Sequence, residues 1–294
     1  MERAKITMAE EKRAFPPQHQ ERHPGVQVEM KPKPIDEDPN YKASGKLDGK
    51  IAVITGGDSG IGRAVGYAFA KEGADIAFVY LNEHQDAEQT VNRIREIGSK
   101  AISVSGDIGD PVFCRSFTNK VINEFGKIDI LVNNAAEQYY HENIEDIPVE
   151  EVEKTFRANI MSFFFMTQSA LKYMKEGTAI INTGSAVAYV GYETLLDYSS
   201  TQGAVITFTR SLSQSLADRG IRVNAVAPGP VWIPLIPSSF PAEEVSKFGT
   251  EVPMKRAAQP WEIAPAYVFL AYNGDSSYIA GQTIHLNGGM VVNA

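Results

Sequence analysis

Residues 51–62, Ile51-Ala-Val-Ile-Thr55-Gly56-Gly-Asp-Ser-Gly60-Ile-Gly62, join an apolar run directly to a glycine-rich loop. The apolar run is typical of a buried strand. The glycines let the backbone turn sharply, and a helix beginning at Gly60 would offer free N–H groups to an anion such as a pyrophosphate. The spacing differs from the usual Gly-x-Gly-x-x-Gly pattern, and a glycine cluster alone also fits an ordinary turn. The stretch therefore predicts a strand, a tight loop and a helix, with phosphate binding as one use of the loop.

Short apolar runs alternate with longer amphipathic stretches from this point to the C-terminus. Strands are predicted at Ile51–Thr55, Ile76–Tyr80, Ile102–Ser105, Ile128–Asn133, Thr178–Thr183, Arg222–Val226 and Gln282–Leu286. Helices are predicted at Gly60–Glu72, Gln85–Ile97, Val112–Phe125, Val149–Lys175, Tyr198–Asp218 and Pro260–Ala271. Glycines stand where helix C-caps belong, at Gly73, Gly98, Gly126, Gly177 and Gly220. The alternation predicts an α/β fold: a single Rossmann-type doubly wound parallel sheet of about seven strands flanked by helices.

The first 45 residues differ from the rest, because six prolines are scattered among charges and glutamines and no helical or strand period is present. This composition fits a solvated, disordered tail. We therefore divide the chain into a proline-rich arm, residues 1–45, and one domain, residues 46–294. Within the domain, the proline-rich segment Gly229–Gln259 lacks strong periodicity and is predicted to be a long irregular loop of the kind that forms lids.

The composition of the 294-residue chain limits the classes of function. A formal net charge of -8 argues against a nucleic-acid-binding surface, which would be basic. No segment approaches the ~20 apolar residues of a membrane helix, and no apolar run follows the first charged residues, so neither a membrane span nor an export signal is predicted. The single cysteine, Cys114, excludes an internal disulfide and favours the cytoplasm. The five histidines lack the spacing of metal ligands, and no metal site is predicted.

Three further motifs lie at the ends of predicted strands. They are Asn133-Asn-Ala-Ala136, then Ser185 followed by Tyr198-Ser-Ser-Thr-Gln202, and Asn224-Ala-Val-Ala-Pro-Gly-Pro-Val231. Together with residues 55–62, their order and spacing resemble the short-chain dehydrogenase/reductase family. The resemblance covers residues 50–294. The leader is similar to that of bacterial general-stress members of the glucose/ribitol-dehydrogenase-like group, which makes an ordered arm, packed on the body or on a neighbouring subunit, an equal alternative to a disordered tail.

The resemblance implies an NAD(P)-dependent oxidoreductase that interconverts a small carbonyl and an alcohol by hydride transfer. Tyr198 would give a proton to the developing alkoxide, and Ser185 would polarise the carbonyl oxygen. Asn159 matches a helix asparagine that kinks the helix and orders a proton-relay water. The family has a lysine where this chain has Gln202. The implied catalytic set is therefore Asn159, Ser185, Tyr198 and Gln202, although each residue taken singly also fits a plain structural role.

The resemblance also places a cofactor beyond the carboxyl ends of the strands. The implied cofactor-binding residues are Gly56, Asp58, Ser59, Gly60, Ile61, Gly62, Tyr80, Leu81, Asn82, Asp107, Ile108, Asn134, Ala135, Ala136, Tyr198, Gln202, Pro228, Gly229 and Val231. Asp107 would lie beside the adenine, and it fits a strand-end turn residue as well. A backbone group near Val231 would hold the nicotinamide carboxamide. Ile233 stands where the family commonly has a threonine that touches the cofactor, and it can neither donate nor accept a hydrogen bond.

The end of the second strand sets the choice between NAD and NADP. An acidic residue there would hydrogen-bond the ribose hydroxyls of NAD, and an arginine would favour the extra phosphate of NADP. Tyr80 and Leu81 are neither, and Glu83 is a displaced candidate for the ribose. Because no basic residue stands at this point of the sequence, we predict NAD(H) in preference to NADP(H).

Gln202 is expected to affect one direction of the reaction more than the other. It shares a helix face with Tyr198, where the family's lysine lowers the pKa of the tyrosine and also holds the nicotinamide ribose. A glutamine can do only the second. A cation about 4 Å away, at an effective dielectric of about 20, is worth up to roughly 4 kcal/mol, or about three pKa units. Oxidation needs the tyrosinate and should suffer more than reduction. Lys154 and Lys172 are predicted to be surface lysines and not replacements.

Two functions follow from these observations. The first is an NAD(P)-dependent oxidoreductase whose turnover is impaired by Gln202. The alternative is a catalytically silent nucleotide-binding protein that retains the fold as a binding or assembly module. The sequence leaves open whether the glutamine is the natural residue or an introduced one.

The substrate and the assembly are predicted from weaker patterns. Residues 137–142, residues 186–193 and the lid from Trp232 would form an aromatic substrate wall with Tyr139, Tyr140, Tyr189 and Tyr192. Such a wall suits a sugar, a polyol or a small aldehyde, although ordinary packing explains an aromatic stripe equally well. The resemblance implies a homotetramer in which the helices at Val149–Lys175 and Tyr198–Asp218 pair across a two-fold axis.

Overall fold

Seven strands form one all-parallel sheet in the order β3-β2-β1-β4-β5-β6-β7. The computed structural model describes residues 14–292, so residues 1–13 of the predicted arm lie outside the described residues. The strands are β1 (Ile51–Thr55), β2 (Asp75–Tyr80), β3 (Ala101–Ser105), β4 (Ile130–Asn133), β5 (Ala179–Thr183), β6 (Arg222–Pro228) and β7 (Thr283–Leu286). Because β1 lies between β2 and β4, the chain reverses direction across the sheet at this pair, where open α/β sheets bind ligands.

Helices cover both faces of the sheet. They are α1 (Gly60–Lys71), α2 (His84–Ile97), α3 (Pro111–Phe125), α4 (Val149–Phe156), α5 (Ser162–Ala170), α6 (Val187–Val190), α7 (Leu196–Leu216), α8 (Leu235–Ser239), α9 (Ala242–Lys247), α10 (Pro260–Ala271) and α11 (Asn273–Ser276). On one face Ile54 packs with Phe69 of α1 and Tyr267 of α10. On the other face Val53 packs with Phe117 of α3. Alternate residues of β1 thus enter different cores, as the two-residue period of a strand requires.

The sequence prediction of the fold class is confirmed, and every strand is placed within two residues of its predicted bounds. The predicted helix at Val149–Lys175 is wrong in two respects. A π-helical turn, Arg157–Met161, separates α4 from α5, with the Ser162 N–H donating to the Arg157 carbonyl. The helix then ends at Ala170, so Gly177 caps no helix. Such a turn holds one extra residue, which an apolar period does not reveal.

The segment Gly229–Gln259, predicted to be irregular, contains the two short helices α8 and α9. Trp232, Ile236, Phe240 and Val245 of this segment are buried in a core of their own. We call residues 229–259 the lid segment. Its small core makes it an ordered part of the fold.

Residues 14–45 of the arm pack along the body of the protein. Phe15 stacks on Trp232 with ring centroids 3.8 Å apart, and the Trp232 indole N–H donates to the Pro32 carbonyl at 2.8 Å. Farther along, the Gln27 side chain accepts a hydrogen bond from the Gly60 N–H at 2.7 Å. The described part of the arm therefore contacts both the lid segment and the start of α1. Among the helices of residues 14–292, none is long and apolar enough to cross a bilayer.

Candidate active site

The glycine-rich loop between β1 and α1 has a backbone that only glycine adopts easily. Gly56 and Gly60 have positive φ values of +65° and +52°, a conformation that strains residues with a Cβ. A Cβ on Gly62 would lie 1.9 Å from the Gly56 carbonyl oxygen. These positions hold the start of α1 close to the end of β1. The first N–H groups of a helix have no intrahelical partner. The N–H of Gly60 is one of these, and it donates a hydrogen bond to the Gln27 side chain.

Hydrogen bonds to the residues that follow β4 also hold this loop in place. The Asn134 amide donates to the carbonyls of Thr55 and Gly56 at 3.1 and 3.3 Å. The Thr55 hydroxyl accepts from the N–H groups of Asn134 and Ala135 at 2.8 and 3.0 Å. Sequence reasoning missed Thr55, because a threonine at the end of a strand carries no signal of this contact. The loop is thus held rigidly before any ligand binds.

One cleft runs along the carboxyl ends of the strands, and most of the sequence-predicted site residues border it. Those that line it are Gly56, Asp58, Ser59, Gly60, Ile61, Tyr80, Leu81, Asp107, Ile108, Asn134, Ala135, Ala136, Ser185, Tyr198, Pro228, Gly229 and Val231. Gly62, Asn82, Asn159 and Gln202 are not among its lining residues. The structure therefore brings the phosphate loop and the Ser185–Tyr198 pair to the same cleft. Ile233 also lines it, with its side chain against Gly60.

Ser185 and Tyr198 face each other at one end of the cleft. Ser185 follows β5, and Tyr198 lies in the first turn of α7. Burial raises the pKa of Tyr198 to about 12, and a hydrogen bond from the Ser185 hydroxyl offsets this rise only in part. Within residues 14–292 no charged side chain contributes to the pKa of Tyr198. Tyr198 is therefore a proton donor at neutral pH and a poor base.

Gln202 lies one helical turn after Tyr198 and is 2% exposed. Its amide oxygen has no hydrogen-bond partner among the described residues. A buried acceptor without a partner is costly, so the position suits a ligand that brings a hydroxyl donor. Lys154 does not replace the missing cation, because its ammonium group contacts the Tyr139 hydroxyl at 2.6 Å and the Glu137 carboxylate at 3.1 Å. Its side chain is 53% exposed, in agreement with the predicted surface position.

Asn159 lies in the π-helical turn and is fully buried. Its side chain accepts from the Glu137 N–H at 2.7 Å and donates to the Glu137 carbonyl at 2.8 Å and to the Thr201 hydroxyl at 3.1 Å. It therefore ties the loop after β4 to α7, beside Gln202. The side-chain groups of Asn159 are all used in this link.

The other end of the cleft is acidic and is approached by the arm. Asp58 and Glu83 are buried and both line the cleft. Burial, assisted by the charge of Glu83, raises the pKa of Asp58 to about 7. Arg22 of the arm donates to the Asn82 carbonyl and to the Glu83 carboxylate, each at 3.0 Å. The sequence at the end of β2 has no basic residue, as the NAD prediction stated, but the fold brings Arg22 of the arm to this point. Arg22 is about 60 residues distant in sequence, beyond the reach of a local motif.

Asp107, predicted to lie beside an adenine, follows β3 and lines the same acidic end of the cleft. Its carboxylate also accepts a hydrogen bond from the Gly109 N–H at 2.7 Å, as a turn residue would. The structure therefore shows the turn role of Asp107, and its place beside an adenine stays a prediction.

The predicted aromatic substrate wall is mostly wrong. Of its five aromatic residues only Tyr192 lines the cleft. Trp232 is fully buried under Phe15 of the arm. The side chains that border the cleft near Tyr198 are mainly aliphatic, with a few polar groups: Gln138, Val187, Val190, Tyr192, Leu195, Leu235, Ile236, Phe240 and Glu251. Most of the predicted aromatic residues therefore pack against other side chains and do not line the cleft. The wall near Tyr198 is formed mainly by residues of α6 and the lid segment.

Comparisons with known proteins agree with this arrangement. The family model for enoyl-(acyl carrier protein) reductase matches residues 56–291. General stress protein 39 of Bacillus subtilis is 52% identical over 285 residues, which cover 97% of this chain and 99% of that protein. Glucose and ribitol dehydrogenase of Daucus carota is 54% identical over 285 residues, covering 95% and 98%. The chloroplastic NADPH-dependent aldehyde reductase 1 of Arabidopsis thaliana is 53% identical over 283 residues, covering 94% and 98%.

A solved structure has the same fold. The short-chain dehydrogenase from Burkholderia cenocepacia in complex with NADP aligns with a TM-score of 0.78 and 28% identity, over 83% of this chain and 98% of that one. Residues 56–291, which the family model matches, include the glycines of the phosphate loop, Ser185 and Tyr198. The chain therefore belongs to the short-chain dehydrogenase/reductase family of oxidoreductases, close to the general-stress and glucose/ribitol-dehydrogenase-like proteins.

Proposed function

We propose that the chain is an NADP(H)-dependent reductase of small carbonyl compounds, with alcohol oxidation as the weaker direction. The observation that carries the proposal is the pairing of Ser185 with Tyr198 at one end of a cleft whose other end is the phosphate loop. Burial, without a neighbouring cation, keeps Tyr198 protonated. A protonated tyrosine suits reduction, because reduction consumes a proton.

The residues present fit a nicotinamide dinucleotide. The glycines of residues 56–62 leave no Cβ between the loop backbone and the cleft, and the start of α1 offers N–H groups to a pyrophosphate. Asp107 and Ile108, which line the cleft, would border an adenine, and Val231, Pro228 and Gly229, which also line it, would border a nicotinamide. Gln202 is not part of the lining of the cleft, so its unpartnered amide oxygen would meet a ribose hydroxyl only after its side chain turns toward the cleft. When bound, the cofactor would supply the hydride.

The protein side chains would supply the proton and the polarisation. The Ser185 hydroxyl donates a hydrogen bond to the substrate carbonyl oxygen, and Tyr198 gives its phenolic proton to the same oxygen as the alcohol forms. Asn159 holds the loop after β4 against Thr201, and so keeps α7 and Tyr198 in place. In the reverse direction Tyr198 would have to lose its proton first, which a pKa of about 12 makes unfavourable.

The choice of NADP(H) corrects our prediction of NAD(H). The solved relative holds NADP, and the Arabidopsis relative is named for NADPH. Arg22 at the end of β2 provides the basic group that the sequence reasoning did not find.

The proposed substrate class is a small aldehyde or ketone. Val187, Leu195, Ile236 and Phe240 make the cleft beside Tyr198 largely apolar, and Gln138 is a polar group at its border. One relative is named as an aldehyde reductase and another as a glucose and ribitol dehydrogenase. The apolar lining favours an aldehyde over a free polyol, whose hydroxyls would lack partners. We further propose a cytoplasmic location, on the basis of the single, buried and free Cys114.

A panel of small aldehydes, ketones and sugars, assayed with NADPH and NADH, tests the proposal, and Gln202→Lys serves as the comparison variant. We expect NADPH-dependent aldehyde reduction by the chain itself and faster turnover by Gln202→Lys. The second candidate function, a nucleotide-binding protein without turnover, is favoured by the missing cation at Gln202. It would be supported if the chain binds NADPH tightly and turns over none of the panel.

A further inference from the structure

Arg22 reaches the cofactor cleft from the arm and not from the α/β domain. Its terminal Nη2 contacts the carbonyl and the side-chain oxygen of Asn82 and one oxygen of Glu83. These acceptors fix the guanidinium at the end of β2. Within residues 14–292 its Nε and Nη1 have no hydrogen-bond partner, and its side chain is 48% exposed. Two donor groups of the guanidinium are thus available to a ligand.

The groups around Arg22 would otherwise reject a phosphate. The Glu83 side chain is 3% exposed and Asp58 is 5% exposed, and both line the cleft. Carboxylates at this position hydrogen-bond the two hydroxyls of an adenosine ribose, whereas they repel a 2′-phosphate. Arg22 pairs with Glu83 at 3.0 Å, whereas the cation beside Asp58 is Arg63, which donates to the Asp58 carbonyl at 2.7 Å.

The arm is anchored on both sides of Arg22. Pro24 and Gly25 line the cleft themselves. The Gln20 side chain bonds the Val26 backbone, with its amide donating at 3.0 Å and its oxygen accepting at 2.7 Å. The Gln27 side chain then joins the Gly60 N–H at the phosphate loop. The arm therefore holds Arg22 in a defined place relative to the loop.

We propose that the arm forms part of the wall of the cofactor site, and that its Arg22 is the residue that admits the 2′-phosphate of NADP beside Glu83. The proposal rests on the proposed function in so far as that function names a nicotinamide dinucleotide. A guanidinium fork suits a phosphate because its parallel N–H groups match two phosphate oxygens. One side of the Arg22 fork pairs with Glu83, and in this proposal the free donors would contact the phosphate. NAD, which carries hydroxyls there, needs only the carboxylates.

The test is a titration of the full chain with NADPH and with NADH at low and at moderate salt. The fluorescence of the reduced nicotinamide reports how much nucleotide is bound. The variants are Arg22→Gln, which removes the charge, Arg22→Lys, which keeps the charge but loses the fork, and Glu83→Gln. Lys33→Gln is the matched control, because Lys33 is an exposed cation of the same arm. Circular dichroism checks that each variant is folded.

We expect Arg22→Gln to weaken NADPH binding about tenfold or more and to change NADH binding less than about threefold. Arg22→Lys should lie between, Glu83→Gln should strengthen NADPH binding, and Lys33→Gln should change neither. Equal weakening of both nucleotides would mean that Arg22 only anchors the arm, and it would overturn the proposal. An unchanged NADPH affinity in Arg22→Gln would overturn it too. The ratio of affinities is independent of turnover, so a chain that binds selectively but reduces nothing would refute the proposed function alone.

Discussion

Tyr198 is an acid because of what surrounds it. Its hydroxyl is buried, and among the side chains of residues 14–292 only Ser185 stabilises the ionised form. With a pKa of about 12, roughly one molecule in 10⁵ carries tyrosinate at pH 7. Gln202, one helical turn after Tyr198, brings no charge. In the proposed mechanism, reduction uses the protonated form of Tyr198, which predominates, whereas oxidation uses the rare tyrosinate.

The two directions should therefore depend on pH in different ways. In the chain with Gln202, carbonyl reduction should stay level from pH 6 to pH 9, because Tyr198 remains protonated far below its pKa of about 12. Alcohol oxidation should rise about tenfold per pH unit through the same range without reaching a plateau. In Gln202→Lys the oxidation plateau should move down by up to about three pH units. The measurement is kcat against pH in both directions for the two proteins.

Tyr198→Phe gives the control for this profile, since the pH dependence of oxidation should vanish with the phenol. If oxidation by the chain with Gln202 levels off near pH 7, another group acts as the base. The account of Tyr198 would then be incorrect.

The phosphate loop shows how one element depends on the absence of side chains. Gly62 belongs to α1 and approaches the Gly56 carbonyl so closely that a Cβ would overlap it. Gly66 lies one turn later in the same helix, and a Cβ there would meet Ile94 and Ile54 at 3.6 and 3.8 Å, an ordinary contact. The two glycines differ in packing, and neither has a positive φ.

Alanine at these two positions should have opposite effects on stability. Gly62→Ala should lower the free energy of unfolding by about 1–3 kcal/mol and weaken cofactor binding, because the backbone of the loop must shift. Gly66→Ala should be neutral or stabilising by up to about 1 kcal/mol, because alanine favours the helix. Urea unfolding of both variants measures the difference. Equal stabilities would contradict the tight approach of α1 to β1.

The sequence predicted best those elements whose position follows from the residues within the element itself. β1 and β4 are apolar runs that are buried on both sides, and their bounds follow from composition. The π-helical turn at Arg157–Met161 does not follow, since the apolar residues on either side continue a helical period. The burial of Trp232 was missed for a related reason, because its partners Phe15 and Pro32 belong to a segment without a period of its own.

At the scale of the whole molecule, the arm connects parts that the sequence keeps far apart. It contacts the lid segment through Phe15 and Trp232, the phosphate loop through Gln27, and the end of β2 through Arg22. Proline-rich composition alone fitted a disordered tail. Side-chain contacts over such separations have no signature in a single sequence, which is why the cofactor preference was predicted from an incomplete set of residues.

The assembly remains a prediction and has its own test. We expect a homotetramer in which a neighbouring subunit covers the face formed by α5 and α7. Met161 and Phe164 are 40% and 46% exposed in the single chain, and Phe164 contacts Phe208 of α7. Light scattering should give four times the 32.2 kDa mass of one chain. Phe164→Asp should dissociate the assembly, while Val112→Asp, at an exposed site on α3, should leave it intact. A monomeric chain at micromolar concentration would exclude the tetramer.

The central claim is that this chain reduces carbonyl compounds with Tyr198 as the proton donor, despite Gln202. The most direct measurement is the loss of NADPH in the presence of a small aldehyde, at neutral pH, for the chain and for Tyr198→Phe at matched cofactor occupancy. We predict steady turnover by the chain and a decrease of at least about a hundredfold in Tyr198→Phe. Turnover that survives the loss of the phenol, or no turnover by the chain with cofactor bound, would contradict the claim.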